Sequence, residues 1–171
     1  MVFHVSPSRQ ENQLVFCTEQ FRGVDFGFRD AIQLTGDLLY PSILKFRAAN
    51  QLAELLDLLG DQKGSRYYER IAEQIQEAVP EVFGDSSGLL KAATGSSNQP
   101  DVWGTALAVY EGVLQGEARE TACLTLGRAY LDGTLSYRGN IRHVLTIHDF
   151  DADRVWERSM APKNRYQNGA Y

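Results

Sequence analysis

Pro41–Gly60 reads PSILKFRAANQLAELLDLLG, and its reading decides the fold class. Leu44, Ala48, Leu52, Leu55 and Leu59 recur at steps of three and four residues, which is one face of an α-helix. Pro41 suits the first turn, where a missing N–H has no intrahelical partner, and Gly60 suits a left-handed stop. Ala49, Ala53 and Leu56 widen the stripe, so the helix is expected to pack on more than one side. A second helix is expected over Ser65–Val79, with Tyr68, Ile71, Ala72, Ile75 and Val79 inward and Pro80 ending it. Val82-Phe83 and Leu89-Leu90 flank Gly84–Gly88 and read as a short strand pair around a turn.

The same programme then repeats. A helix is expected from Pro100 to Leu114 with its stop at Gly116, and a partner from Glu117 to Leu131 with its stop at Gly133. A strand pair follows, Leu135–Tyr137 and Ile141–Val144, around Arg138-Gly139-Asn140. Pro41 aligns with Pro100, Gly60 with Gly116 and Ala72 with Ala129, at offsets of 59, 56 and 57 residues. The expected organisation is all-α: an irregular lead-in over 1–40 with a strand at Leu14–Thr18, helix–helix–hairpin repeats over 41–94 and 95–147, and the start of another over 148–171. Each helix pair then needs a neighbouring pair to cover its remaining apolar flank.

Composition sets outer limits. The chain has 171 residues, 43% hydrophobic and 23% charged, a single-domain length with neither disordered nor membrane-spanning character. No apolar run approaches the roughly 20 residues that cross a bilayer. Met1–Gln10 lacks the basic and apolar regions of a signal peptide, so a cytoplasmic location is the default expectation. The net charge of −5, with no Lys/Arg cluster, argues against nucleic acid. Cys17 and Cys123 form no motif and read as small buried apolar residues.

The chemistry concentrates in Gln99–Tyr110, QPDVWGTALAVY. Pro100 suits a helix start and places Asp101 beside the positive end of the macrodipole. Trp103 is a broad platform of the kind that stacks on a sugar ring, and Gly104 leaves the backbone open beside it. Equally, Asp101 fits a dipole-compensating acid and Trp103 a core residue. Glycoside cleavage needs two carboxyl groups, and Asp25, Asp30 and Glu157 are the other candidates. Arg29 between the first two also fits a structural ion pair, and Glu157 follows a second platform, Trp156.

In Gly139-Asn140-Ile141-Arg142-His143, Asn140 fits a turn, Arg142 a guanidinium fork for a carboxylate or paired hydroxyls, and His143 a structural hydrogen-bonder. Strand alternation would point Arg142 away from Ile141 and His143. His148–Asp153 fails the calcium-loop template, since Arg154 and Met160 stand where Gly and Glu belong, and no zinc spacing is present. Neither a metal nor a cofactor is expected.

The duplicated helix–helix–hairpin programme resembles the six-hairpin glycosidases, whose (α/α)6 toroid lines one face with inner-helix ends and short β-hairpins. QPDVWGTALAVY is similar to the Asp…Trp…Gly pattern opening an inner helix in the unsaturated uronyl hydrolases of that superfamily, where the aspartate is the acid/base; the match implies that role for Asp101. Gly104-Thr105-Ala106 stands here in place of their Arg-Gly-Gln run. Tyr166-Gln167-Asn168-Gly169 resembles the Tyr-His/Gln-Asn-Gly signature of glycogen-debranching and neutral-invertase relatives, implying substrate-positioning groups at Tyr166, Gln167 and Asn168. Six repeats of 56 to 59 residues would span about 336 to 354, so the resemblance implies about half a ring, which exposes apolar surface or associates with another copy. The expected function is glycoside hydrolysis on an oligosaccharide substrate by the complete ring, with the 171-residue chain alone expected to be inactive. The alternative is a non-catalytic sugar-binding or protein-interaction module.

Overall fold

The computed structural model describes residues 8–18, 34–96 and 98–148. Its elements are β1 (Phe16–Cys17), β2 (Gly36–Asp37), α1 (Leu39–Leu58), α2 (Gln62–Phe83), β3 (Leu90–Lys91), β4 (Pro100–Asp101), α3 (Val102–Tyr110), α4 (Gly116–Leu131), β5 (Ser136–Tyr137) and β6 (Asn140–Ile141). Helix dominates, and the strands form three two-stranded antiparallel pairs, β1–β2, β3–β4 and β5–β6. Two of them deliver the chain directly into a helix, β2 into α1 and β4 into α3.

Helices α1 and α2 form the larger pair. Leu39, Ile43, Phe46 and Ala49 of α1 pack with Ile71, Ala72, Ile75, Ala78, Val79 and Phe83 of α2. The inward face of α1 therefore differs from the expected one. The Leu44–Ala48–Leu52–Leu55–Leu59 stripe faces away from this core, and Leu44 and Leu55 are 46% and 52% exposed. Both sides of the helix are apolar, so spacing alone could not choose between them. Helix α2 also runs past its expected end: Pro80 lies inside it, and the last turn is held by the buried Val79 and Phe83 on either side. Val82 and Phe83 are accordingly helical rather than strand.

The second pair is thinner. Helix α3 has 9 residues and stops at Glu111, before the expected Leu114. Gly112 takes the left-handed conformation there (φ +73°), and the buried Val113 and Leu114 turn back so that both N–H groups reach the Ala108 carbonyl, at 2.9 and 3.1 Å. Gly116, the expected stop, instead opens α4, which buries only Ala122 and Ala129. Cys17 is buried with its thiol donating to the Leu34 carbonyl, whereas Cys123 is exposed on α4, contrary to expectation.

The two pairs are built on matching hydrogen bonds. The Val15 N–H donates to Ser42 Oγ (3.0 Å), whose hydroxyl donates to the Leu38 carbonyl (2.6 Å). The Leu90 N–H likewise donates to Thr105 Oγ1 (2.9 Å), whose hydroxyl donates to the Asp101 carbonyl (2.6 Å). The first N–H of α1, at Leu39, donates to the Ala92 carbonyl (3.1 Å), and that of α3, at Val102, to the His143 carbonyl (2.7 Å). Tight hairpins precede each set through the pairings Ser8–Val15, Gly84–Leu90 and Ser136–Ile141. Leu38, Leu39 and Ser42 thus correspond to Asp101, Val102 and Thr105, an offset of 63 residues, and Ala92 corresponds to His143. The sequence alignment of Pro41 with Pro100 is out of step with this: Pro41 lies inside α1, whereas Pro100 pairs with Lys91 in β3–β4.

Candidate functional site at the head of α3

Asp101 is the residue before α3, in extended backbone, rather than in its first turn as expected. Its carboxylate makes no hydrogen bond to the cap N–H groups and folds over Gly104. A Cβ at position 104 would overlap that carboxylate and Leu39, so the glycine creates the space the acid occupies. Asp101 is 0% exposed, so it sits beneath the surface and not at an open helix mouth.

The hairpin β5–β6 supplies the other half. Arg138 (φ +49°) and Gly139 (φ +83°) form its two-residue turn, a pair of left-handed positions that matches the strand twist. Beyond β6 the chain bends inward. The Arg142 N–H donates to the Leu135 carbonyl (3.1 Å), and the His143 carbonyl takes the Val102 N–H. Arg142 and His143 are 3% and 1% exposed, whereas Ile141 lies open. Strand alternation therefore does not carry past Ile141, and Arg142 and His143 go inward together.

Trp103 joins the two halves. Its ring centroid lies 3.9 Å from that of His143 at a tilt of 39°, and its indole N–H donates to the Ile141 carbonyl (3.3 Å). It is half-buried, packing beside Leu89, Val102, Ala129 and Leu135. Asp101, Trp103, Arg142 and His143 thus lie together at the head of α3, from two chain segments about 40 residues apart. Asn140 stands apart, exposed beside the hairpin turn. Gln99 is a member that spacing did not single out: its Oε1 is buried and accepts no hydrogen bond among the described residues. Asp25, Asp30, Trp156, Glu157, Tyr166, Gln167 and Asn168 lie outside the described residues.

No protein-family model and no curated protein matches the chain. The site is therefore read from its own geometry. Among the described residues, no group of three or more His, Cys, Asp or Glu side chains is placed to hold a metal ion, and no helix is long and apolar enough to cross a membrane.

The matched hydrogen bonds give each site residue an internal control. At the corresponding positions of the first pair stand Leu38 for Asp101, Tyr40 for Trp103, Pro41 for Gly104, Lys91 for Arg142 and Ala92 for His143. The backbone join is the same in both places. In the second pair, a carboxylate and an imidazole replace two aliphatic side chains.

Proposed function

We propose that the chain is a carbohydrate-active domain of the (α/α)6 type, about half of such a ring, that hydrolyses a glycosidic bond with Asp101 as an acid/base. The observation that carries this reading is the exchange of Leu38 and Ala92 for Asp101 and His143 at matched positions. The first pair builds the same backbone join with aliphatic groups. Burying a carboxylate and an imidazole costs free energy that apolar groups avoid, so a use other than folding is the economical explanation. Hydrolysis needs a donor for the leaving oxygen and a base for water; Asp101 would supply one, and Glu157 or Asp30 the other. Arg142 suits a sugar carboxylate or a pair of hydroxyls, which favours an acidic sugar. Trp103 would offer the ring face turned away from His143 as a platform, with Trp156, Gln167 and its neighbours completing the substrate contacts.

The test is hydrolysis of a panel of neutral and uronic aryl glycosides by a protein carrying the complete ring and by its Asp101→Asn variant. Turnover is expected to fall by roughly 10²–10⁴-fold with KM little changed, the usual contribution of a positioned acid or base. Full turnover in Asp101→Asn would end the proposal.

The complete burial of Asp101 favours a second reading, a non-catalytic sugar-binding module. In that case no glycoside is cleaved, Asp101→Asn leaves glycan affinity unchanged, and Trp103→Phe weakens it.

A further inference from the structure

The outer side of α2 carries a charge pattern that the fold does not use. Ile71, Ala72, Ile75, Val79 and Phe83 set the inward face of this helix. At about 3.6 residues per turn, Lys63, Arg66, Arg70, Glu73, Glu77 and Glu81 fall in one stripe on the opposite side. All six are exposed, and none is held by an ion pair or hydrogen bond among the described residues. The stripe is divided: its three N-terminal charges are positive and its three C-terminal charges are negative.

Within one helix this order is unfavourable. Positive charge near the N-terminus and negative charge near the C-terminus oppose the macrodipole. Helix α2 has no acid in its first turn and no base in its last, and only Asp61, at the N-cap, offsets this. Arg66 and Arg70 are like charges four residues apart, as are Glu73 and Glu77, and Glu77 and Glu81, a spacing at which like charges repel. Interleaving the same six residues would lessen both costs. Between two molecules the order becomes favourable. Turned end for end against itself, the stripe sets Lys63, Arg66 and Arg70 level with Glu81, Glu77 and Glu73 of a second copy. Each pair is centred within one residue of the step from Ile71 to Ala72. Two-fold symmetry repeats all three pairs, whereas parallel apposition would set every charge against its like.

We infer that two copies of this chain associate through α2, antiparallel about a two-fold axis, with the charged stripe of each facing that of the other. The contact is isologous, so it closes at the dimer. Its substance is exposed ion pairs, so it is weak and screened by salt. The inference is independent of the hydrolase reading, because it uses only the outer face of α2.

Sedimentation velocity on the 171-residue chain tests it. Wild type is expected to dimerise in about 0.01 M salt and to weaken at least roughly tenfold in about 1 M salt, as the screening length falls from about 30 to about 3 Å. Glu73→Lys, Glu77→Lys and Glu81→Lys together make the stripe wholly positive, and that triple variant is expected to stay monomeric. The decisive variant inverts all six charges by adding Lys63→Glu, Arg66→Glu and Arg70→Glu. It complements itself again and sets its charges with the macrodipole, so it is expected to dimerise as wild type does and to melt no lower by circular dichroism. Mixed with fluorescently labelled wild type it is expected to form no heterodimer, since antiparallel apposition then brings like charges together. A wild type monomeric at low salt, a dimer indifferent to salt, or a triple variant that dimerises at wild-type strength would overturn the inference. So would a folded sixfold variant that stays monomeric or that pairs with wild type.

Discussion

Leu38, Tyr40, Lys91 and Ala92 in the first helix pair occupy the positions held by Asp101, Trp103, Arg142 and His143 in the second. The same N–H of a helix-opening residue meets the same carbonyl of the following hairpin in both, and Ser42 and Thr105 bridge the same strand to the same turn. One scaffold therefore carries two kinds of side chain. In the first pair Leu38 and Ala92 join a buried apolar cluster, whereas the second pair fills the four positions with a carboxylate, an indole, a guanidinium and an imidazole. The pairs also divide their labour in stability. Sixteen buried hydrophobic residues make up the central cluster among the described residues, and ten of them belong to α1 or α2, whereas α4 contributes only Ala122.

That asymmetry sets the largest expected effect. Phe83→Ala, at the buried end of α2, should cost about 3–5 kcal/mol of unfolding free energy by denaturant titration, while Leu124→Ala on the exposed side of α4 should stay within about 0.5 kcal/mol. Equal losses at the two sites would show that the pairs share the load evenly. The matched bridges give the next test. Ser42→Ala and Thr105→Val each strip a buried N–H of its acceptor, and each should cost about 1–3 kcal/mol. A large loss at one site and none at the other would break the correspondence between the pairs.

Gly104→Ala sharpens it further. The added methyl meets the Asp101 carboxylate and Leu39, so about 1–3 kcal/mol is expected to be lost, and Gly104→Ala combined with Asp101→Ala should lose less than the sum.

The smallest effect lies in the hairpin between the pairs. Ser87 hydrogen bonds to Asp85, with Lys91 and His148 adding a favourable field, hold the Asp85 carboxyl below its ordinary range. A depressed carboxylate stabilises the fold above its unfolded-state pKa, and that contribution fades as pH falls through the lower folded value. Asp85→Asn should therefore lower the melting temperature slightly at neutral pH and converge with wild type in acid. A difference that grows in acid would reverse the sign.

Much of this was legible in the sequence, and the failures have physical causes. Gly60 and Gly133 end their helices in the left-handed conformation, as their positions after apolar periodic runs imply. The hairpin at 136–141 falls where turn residues separate short apolar runs, whereas the strand pair expected around Gly84–Gly88 does not form: Val82 and Phe83 are helical and Leu90–Lys91 pairs with Pro100–Asp101. The inward face of α1 was not legible, because Leu44, Leu52 and Leu55 repeat as regularly as Leu39, Ile43 and Phe46. The end of α2 was misplaced because a proline signals a break, whereas the burial of Val79 and Phe83 holds one more turn. The nearness of the α3 start to the β5–β6 hairpin was implied only by the resemblance, and strand alternation wrongly separated Arg142 from His143, which both turn inward. The burial of Asp101 was not legible either, since it depends on the absent side chain of Gly104 and the inward bend after Ile141.

The central claim is that the second pair's polar residues serve chemistry rather than folding, and Asp101→Leu tests it most directly by installing the residue that the first pair carries. Unfolding free energy and glycoside turnover are measured on the same preparation of a protein carrying the complete ring. Unchanged or higher stability is expected together with a roughly 10²–10⁴-fold loss of turnover. A stability loss of about 3 kcal/mol or more with turnover intact would contradict it and return Asp101 to a purely structural role.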